Sequence, residues 1–310
     1  MLEPDLLDLL LKSLGPVLEQ SRESTIEVNP ESLTGEKCDL FLNRGLNRIS
    51  IGMQSLYDEK LFFLGRIHSA DQALKALDLA VKSGFQNISA DFIYALPKEK
   101  PENWEKELKD ISGLPVQHLS CYALSCESNT EFYKYKNKID QGLAAEMYGL
   151  TMKILPQNGF SHYEISNYAR KDLECLHNMI YWENRSYLGL GPAAFSYIQA
   201  IRSKNISDTE EYMKKAEQGG SVTEFEEKLK PEARARETAA MNIRRSKGIV
   251  FQEFRLDTGF DLKDLLKTED LDRFLDQGLL RYNTSSGRNT GISLTEKGFL
   301  FADEVCSALV

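Results

Sequence analysis

The chain has 310 residues, 42% of them hydrophobic, and a formal net charge of -9 at pH 7. This length and composition fit one large globular domain or a domain with an appendage, and they do not indicate disorder. The acidic balance disfavours nonspecific attraction to nucleic acid or to an anionic membrane, so we expect the ligand to be a small molecule or a protein.

Hydropathy and cysteine usage predict where the chain resides. No apolar run approaches the roughly 18 residues of a membrane span, and the first five residues lack the basic start of a secretion signal. Five cysteines, an odd number scattered along the chain, do not indicate a disulfide framework. We therefore expect a cytoplasmic protein that is not an integral membrane protein, with most of its cysteines as buried thiols.

The first half of the sequence alternates strand and helix patterns. Leucines at helical spacing predict a helix over 4–18, and a helix stop at Gly84 follows another such stripe. Strands separated by helices of this length imply right-handed crossovers and parallel strands. The predicted strands are 25–28, 48–53, 88–96 and 116–124, and the further predicted helices are 30–43, 58–64, 71–83 and one that starts at Pro101.

The second half of the sequence is predicted to be mainly helical. A helix over 144–156 and a short strand over 163–166 come before this helical part. The first helix of the helical part covers 209–218. We place a domain boundary near residue 205, which gives domains of 1–205 and 206–310. The tail predicts a helix over 270–280, a hairpin of 281–283 with 291–294, and a helix over 296–308, an order that resembles a winged-helix module.

Polar residues lie at or just beyond several predicted strand ends. Glu27 closes the first strand, Gln54 follows the second and Asp91 lies in the third, while Arg66 follows the helix after the second strand. In parallel α/β architectures the carboxyl ends of the strands line the active-site face. For each residue alone, ordinary surface ion pairing or strand capping is the favoured explanation, but together they predict a ligand site.

These residues belong to segments that resemble a known family. The chain resembles the radical SAM family of oxygen-independent coproporphyrinogen III oxidases and HemW-type haem chaperones, over nearly its whole length. The segments are Glu27-Val28-Asn29-Pro30, the run 47–55 around Gln54, the run 64–68 around Arg66, and the run 91–97 that starts at Asp91. The run 177–182, with 188–192, favours the HemW branch.

The resemblance implies the fold and a cofactor site. It implies an α/β fold with a partial TIM-type (β/α) barrel, shortened at its N-terminus, and a helical, winged-helix-like C-terminal domain. It also implies contacts to S-adenosylmethionine, with Arg66 suited to a carboxylate, Asp91 to the ribose diol, and Glu27 and Gln54 to the amino group and other polar edges. The full implied set is Glu27, Gln54, Arg66, Asp91, Ala123 and Phe195.

The family also carries a [4Fe-4S] cluster on a CxxxCxxC loop, and this sequence has no such loop. Its cysteines, at positions 38, 121, 126, 175 and 306, never form that spacing, so no metal ligand is predicted. Either the printed start is internal to a longer reading frame, which we favour, or the protein lost its cluster and kept another role. The chain as printed is expected neither to assemble the cluster nor to cleave S-adenosylmethionine.

A second candidate site lies around a histidine block. His177, Asn178, Tyr181 and Trp182 match an HNxxYW motif of the family, and imidazole can ligate haem iron while the aromatic rings pack on a porphyrin. A core histidine surrounded by packing aromatics is an equally weighted interpretation. The resemblance therefore implies a haem or porphyrin ligand without fixing which residue binds it.

The predicted function is haem binding and delivery to respiratory haem-acceptor proteins. Two alternatives stay open, an oxygen-independent coproporphyrinogen III oxidase acting through a 5'-deoxyadenosyl radical, and a cluster-less tetrapyrrole-binding protein, so enzymatic activity is undecided. Basic residues over 228–247 alternate with glutamates, which favours intrahelical pairs over a nucleic-acid module. An unpaired edge at strand 25–28 would invite self-association, so a homodimer is an additional expectation.

Overall fold

The computed structural model describes residues 3–128 and 130–310. Two compact units make up the chain, one ending at Cys175 and the other beginning at Leu176. Within the described residues, no helix has both the length and the apolar character needed to cross a membrane.

The first unit contains six helices and six strands among its described residues. A 3₁₀ turn at Pro30–Ser32 and a 3₁₀ segment at Glu131–Lys138 accompany them. The helices are α1 Pro4–Leu18, α2 Gly35–Asn43, α3 Asp58–Phe63, α4 Ala70–Ser83, α5 Pro101–Ser112 and α6 Gln141–Gln157. The strands are β1 Thr25–Val28, β2 Arg48–Gln54, β3 Asn87–Tyr94, β4 His118–Ala123, β5 Ser161–Glu164 and β6 Asn167–Ala169.

These strands form one sheet in the order β1-β2-β3-β4-β6-β5. The neighbours from β1 to β4 pair in parallel, whereas β6 pairs antiparallel with both β4 and β5. The predicted series of four parallel strands joined by helices is therefore confirmed. The single short strand predicted over 163–166 is instead a hairpin, whose chain reverses at Ile165 and Ser166.

One predicted helix is divided into two pieces. The helix expected over 30–43 is a 3₁₀ turn followed by α2, because Leu33 and Thr34 adopt extended backbone conformations. The Thr34 hydroxyl accepts a hydrogen bond from the Lys37 amide at 3.3 Å and caps the new N-terminus.

The parallel sheet has one apolar and one polar face. Ile49, Ile51 and Met53 of β2 have no exposed surface, and α4 packs on this strand. Because successive side chains of a strand point to opposite faces, the alternate positions Arg48 and Ser50 lie on the other face. The same alternation on β3 and β4 gives that face a polar lining, which is unusual for a barrel interior, where bulky branched residues dominate.

The second unit combines helices with two antiparallel three-stranded sheets. The helices are α7 Leu176–Trp182, α8 Thr209–Glu217, α9 Pro231–Asn242, α10 Phe251–Thr258, α11 Leu262–Leu265, α12 Thr268–Asp276, α13 Glu296–Leu300 and α14 Ala302–Leu309. One sheet has the order β7-β8-β9, with strands Phe195–Ile198, Ile201–Asn205 and Thr223–Lys228. The other has the order β10-β12-β11, with strands Ile249–Val250, Arg288–Leu294 and Leu280–Ser285.

The predicted tail of helix, hairpin and helix is found as α12, the β11–β12 hairpin, and α13 with α14. The division between the units lies about 30 residues before the boundary predicted near 205. A boundary at 205 would cut through the first sheet of the second unit, because β8 ends at Asn205 and pairs with β9. Strand β9 was not predicted, since all six of its residues are exposed and polar residues dominate it.

Candidate functional site

Asp91 lies on the polar face of the sheet with Glu27. Glu27 pairs in register with Ser50, and the Ser50 hydroxyl lies 3.3 and 3.2 Å from the two carboxylate oxygens of Asp91. Burial raises the pKa of Asp91, hydrogen bonds from Ser120 and Ser50 oppose that rise, the Glu27 carboxylate adds to it, and Arg48 opposes it. The geometry leaves Asp91 as a hydrogen-bond acceptor next to a second carboxylate.

Gln54 emerges from the end of β2 in a left-handed backbone conformation, with φ of 65°. Its side chain folds back over Gly52, where an added Cβ would lie only 2.8 Å from Gln54 Nε2 and 3.5 Å from Asn29 Oδ1. Gly52 therefore provides the space in which the Gln54 amide lies.

Arg66 lies on the turn after α3, and its side chain is exposed. Within the described part of the chain, no hydrogen bond or ion pair joins its guanidinium to another side chain. The turn itself is held by buried His68, whose Nδ1 lies 3.1 Å from Glu31 Oε2 and whose Nε2 lies 3.3 Å from the Met53 carbonyl. His68 thus ties the segment that carries Arg66 to the end of β2.

The other two implied contacts lie on different units. Ala123 is the exposed last residue of β4 and pairs with Tyr94, so it lies at the same strand ends. Phe195 begins β7 in the second unit, where it is also exposed. The structure thus places Glu27, Gln54, Asp91 and Ala123 along one sheet and Arg66 on an adjoining turn.

A buried ion cluster that sequence reasoning missed supports these strand ends. Lys60 Nζ lies 2.7 Å from Glu99 Oε1 and 2.6 Å from Glu107 Oε2. The three side chains are 13%, 5% and 1% exposed. We call Lys60, Glu99 and Glu107 the Lys60 cluster.

The Lys60 cluster also binds the backbone that follows two strands. Glu107 accepts hydrogen bonds from the Ser55 hydroxyl at 2.5 Å and the Leu56 amide at 2.8 Å, while Glu99 accepts one from the Leu96 amide at 3.0 Å. Ser55 directly follows Gln54, and Leu96 follows Ala95, another residue with positive φ. The cluster therefore fixes both turns at the carboxyl ends of β2 and β3.

In the second unit, the histidine block forms helix α7. His177 is exposed, and its ring centroid lies 4.8 Å from that of Tyr181, which lies 4.4 Å from Tyr187. Tyr187 in turn lies 6.3 Å from Tyr197. We call these four residues the aromatic row.

The remaining members of the block pack differently. The Trp182 carbonyl accepts a hydrogen bond from Asn242 at 3.2 Å, and the Arg244 guanidinium lies 6.0 Å from the centre of its ring. The end of α7 at Trp182 is therefore held to α9. Asn178, in the middle of α7, is half-buried. The structure brings the rings of His177 and Tyr181 together and holds the backbone of Trp182 against α9.

The loop that joins this helix to β7 is closed tightly. Gly189 approaches Phe195 so closely that an added Cβ would lie 2.1 Å from the Phe195 carbonyl oxygen. The Gly189 amide donates to the Ser196 hydroxyl at 2.9 Å, and the Asn205 amide donates to the Gly191 carbonyl at 2.9 Å. Large apolar side chains are exposed around it, with Leu188 at 66% and Leu190 at 70%.

The cysteines do not fit an iron–sulfur cluster. Cys38, Cys121, Cys175 and Cys306 are buried, and burial raises the pKa of the Cys121 thiol, which disfavours the thiolate that a metal needs. Across residues 3–128 and 130–310, no group of three His, Cys, Asp or Glu side chains could hold a metal ion.

Comparison with known proteins defines the class. Residues 2–111 match the Radical SAM superfamily and residues 229–301 match the HemN C-terminal domain. The first match includes Glu27, Gln54, Arg66 and Asp91, so this part of the chain is similar to the radical SAM superfamily over the residues predicted to form the site.

The curated relatives narrow the family. The chain is 31% identical over 296 residues to the heme chaperone HemW of Lactococcus lactis, which covers 93% of this chain and 75% of that protein. It is 29% identical over 310 residues to HemW of Bacillus subtilis, covering 98% and 80%. The chain belongs to the HemW family of radical SAM proteins.

A solved structure agrees with this assignment at the level of fold. Coproporphyrinogen III oxidase HemN from Escherichia coli matches with a TM-score of 0.78 at 21% identity, covering 99% of this chain and 74% of that one. The predicted radical SAM fold is thereby confirmed, and the curated relatives support the HemW branch over the oxidase.

The raised pKa of Asp91 gives the first prediction. A carboxyl whose pKa is raised on folding contributes stability below its unfolded pKa, near its ordinary 3.8, and that contribution is lost as pH rises through the folded pKa. Asp91→Asn is therefore expected to stabilise the first unit at pH 7 by about 1 kcal/mol, with the gain vanishing near pH 4. Thermal unfolding of both proteins across this range measures it, and an Asp91→Asn variant that is less stable at pH 7 would contradict it.

Proposed function

We propose that the chain binds haem and delivers it to acceptor proteins. The observation that carries this proposal is the aromatic row that starts at exposed His177 on α7 and continues through half-buried Tyr181 and Tyr187, in a chain whose curated relatives are named heme chaperones. The oxidase and the cluster-less tetrapyrrole-binding protein are the alternatives, and the HemW relatives favour delivery.

The chemistry of the row suits a porphyrin. An exposed imidazole can ligate haem iron, and tyrosine rings pack on a flat aromatic face. Leu188 and Leu190 next to the row expose apolar surface, and exposed apolar patches commonly mark ligand or partner sites. His177 is the proposed axial ligand, Tyr181 and Trp182 are proposed packing partners of the porphyrin, and Asn178 is a proposed polar contact.

S-adenosylmethionine is the proposed ligand of the strand ends in the first unit. When bound, it supplies the methionyl and 5'-deoxyadenosyl groups of radical SAM chemistry. Asp91 and Glu27 would accept hydrogen bonds from its ribose and amino groups, Gln54 would contact a polar edge, and Arg66 would pair with its carboxylate. Ala123 is a proposed lining residue, and Phe195 stays an implied contact in the second unit, where Lys204 lies 5.9 Å from its ring.

The homodimer, the respiratory acceptor proteins and the cytoplasmic location remain predictions. Strand β1 lies at one end of its sheet, which is consistent with self-association through an unpaired edge. The basic residues of 228–247 have acidic neighbours, with Arg236 pairing to Glu232 and Arg234 to Asp257. These pairs support the expectation that nucleic acid is not a partner, and respiratory acceptors and a cytoplasmic location are part of the proposal.

Replacing His177 tests the haem proposal. His177→Ala is expected to weaken ferric haem binding by about tenfold or more and to shift the Soret band, because the iron loses its axial nitrogen. The measurement is an absorption titration, with Glu217→Ala on α8 as a surface control of the same unit. Unchanged haem affinity together with an unchanged spectrum would remove His177 as the ligand, and no haem binding by the unaltered chain would overturn the proposed function.

A further inference from the structure

The first unit contains a cavity of about 710 Å³, whose lining includes Lys60 and Glu99 of the Lys60 cluster but none of the residues proposed to bind S-adenosylmethionine. It lies between residues 56–63, which follow β2, and residues 96–106, which follow β3 and start α5. Its volume falls within the range of about 300–1,000 Å³ that small-molecule sites occupy.

Aromatic and apolar groups form the walls of this cavity. The rings of Tyr57 and Phe63 line it, together with Leu96 and Pro97. The ring of Phe63 packs against that of Tyr135, with ring centroids 5.1 Å apart. Such walls suit a flat, largely apolar ligand, because aromatic pairs favour offset-stacked and edge-to-face contacts.

Two lysines on the cavity have no carboxylate partner among the described residues. Lys98 is exposed and held with φ of 68°, and Lys106 lies 5.8 Å from the centre of the Tyr57 ring. Some exposed lysines of this unit form ion pairs, for example Lys75 with Asp71 and Lys109 with Glu105. A lysine with positive φ is uncommon, and such strain concentrates at functional sites.

Three carboxylates line the cavity, and two of them accept hydrogen bonds from other groups of the first unit. Asp58 accepts a hydrogen bond from the Ala70 amide at 2.7 Å, and Glu99 is held by Lys60 and the Leu96 amide. Glu59 is an exposed carboxylate on the rim. An acidic ligand would therefore meet two ammonium groups without a carboxylate partner, with the exposed carboxylates of Asp58 and Glu59 opposing them.

We propose that this cavity binds a planar aromatic molecule through carboxylates placed on Lys98 and Lys106. The identification of this molecule as a tetrapyrrole with two propionates rests on the proposed function. Binding here needs no iron, so it is chemically distinct from ligation by His177. The cavity would give the first unit its own contact with the tetrapyrrole.

The test uses an iron-free porphyrin that carries two propionates, titrated into the whole chain and followed by porphyrin fluorescence. Lys98→Gln/Lys106→Gln keeps a polar side chain that is one atom shorter, removes both charges, and is expected to raise Kd about tenfold or more. The matched control, Lys75→Gln/Lys109→Gln, is expected to leave Kd unchanged, and Glu59→Gln is expected to lower it. The dimethyl ester of the same porphyrin, in the same mild detergent, should bind weakly to all of these proteins.

The outcomes separate this proposal from the haem proposal. An equal Kd for the cavity variant and its control, or no binding of the iron-free porphyrin, would overturn the cavity site. His177→Ala is expected to leave the iron-free titration unchanged while weakening ferric haem binding. If His177→Ala instead abolishes both, one site in the second unit accounts for all binding and the cavity proposal fails.

Discussion

Replacing Lys60 with methionine is expected to lower the free energy of unfolding of the first unit by about 3–5 kcal/mol, because it leaves two buried carboxylates without their shared cation. Glu99 and Glu107 are almost fully buried and lie 2.7 and 2.6 Å from Lys60 Nζ. Methionine has a similar length, so loss of charge, rather than a cavity, causes the effect.

Denaturant unfolding followed by Trp104 fluorescence measures this loss. Trp104 is buried, stacks on Tyr94 with ring centroids 5.0 Å apart, and lies 5.1 Å from Lys60 Nζ. The chain has two tryptophans, so a Trp182→Phe background limits the signal to the first unit. The turns after β2 and β3 should loosen as well, which predicts weaker binding of S-adenosylmethionine.

Two controls define the result for Lys60. Lys75→Met breaks a pair in which both side chains are more than 70% exposed, and surface pairs of this kind contribute about 1 kcal/mol or less. Lys60→Met/Glu107→Gln should recover part of the lost stability, since it removes one unpaired buried charge. A loss below about 1 kcal/mol for Lys60→Met would show that the cluster tolerates its missing cation.

Gly189→Ala is expected to displace the loop over β7 and to destabilise the second unit by about 2–4 kcal/mol. The new Cβ would lie 2.1 Å from the Phe195 oxygen and 2.8 Å from the Phe195 carbonyl carbon, and backbone atoms cannot rotate away. The movement would also separate Tyr187 from Tyr197, whose backbones exchange hydrogen bonds of 2.8 and 2.9 Å. Haem affinity should therefore fall together with stability.

Thermal unfolding and haem titration of Gly189→Ala check both effects. Gly220→Ala is the control, because the nearest atom to its added Cβ, the Lys215 carbonyl oxygen, lies at an ordinary contact distance of 3.5 Å. That control should retain haem affinity and change stability by less than about 1 kcal/mol. Normal haem binding by Gly189→Ala would separate the loop from the proposed haem site.

The strand and helix order of the first unit was predictable because its signals are local. Helical leucine spacing, strand-like runs and glycine stops each lie within one element, so α1, α4 and the four parallel strands follow from the sequence. The break at Leu33 and Thr34 was missed because a threonine inside a helical pattern also suits an N-cap. Strand β9 was missed because it is an edge strand, and its exposed side chains show no alternation of polar and apolar residues.

The candidate site could be predicted where its residues lie in recognisable segments of the chain. Gln54 ends β2, and Glu27 and Asp91 lie within β1 and β3, but Ser50 looks like any small strand residue until the register shows its hydroxyl next to Asp91. The Lys60 cluster joins residues 39 and 47 positions apart in sequence. No local pattern reports such a pairing, although a lysine and two glutamates flanking two predicted strand ends were visible.

The polar face of the sheet affects how stability varies with temperature. Apolar surface exposed on unfolding raises the heat capacity by about 0.45 cal/K/mol per Å², whereas polar surface lowers it by about 0.26. Unfolding the first unit exposes Arg48, Ser89, His118 and Ser120, all buried, along with the apolar face. Its heat capacity increment per residue should therefore be smaller than that of a barrel filled with aliphatic side chains, and its stability curve should be flatter.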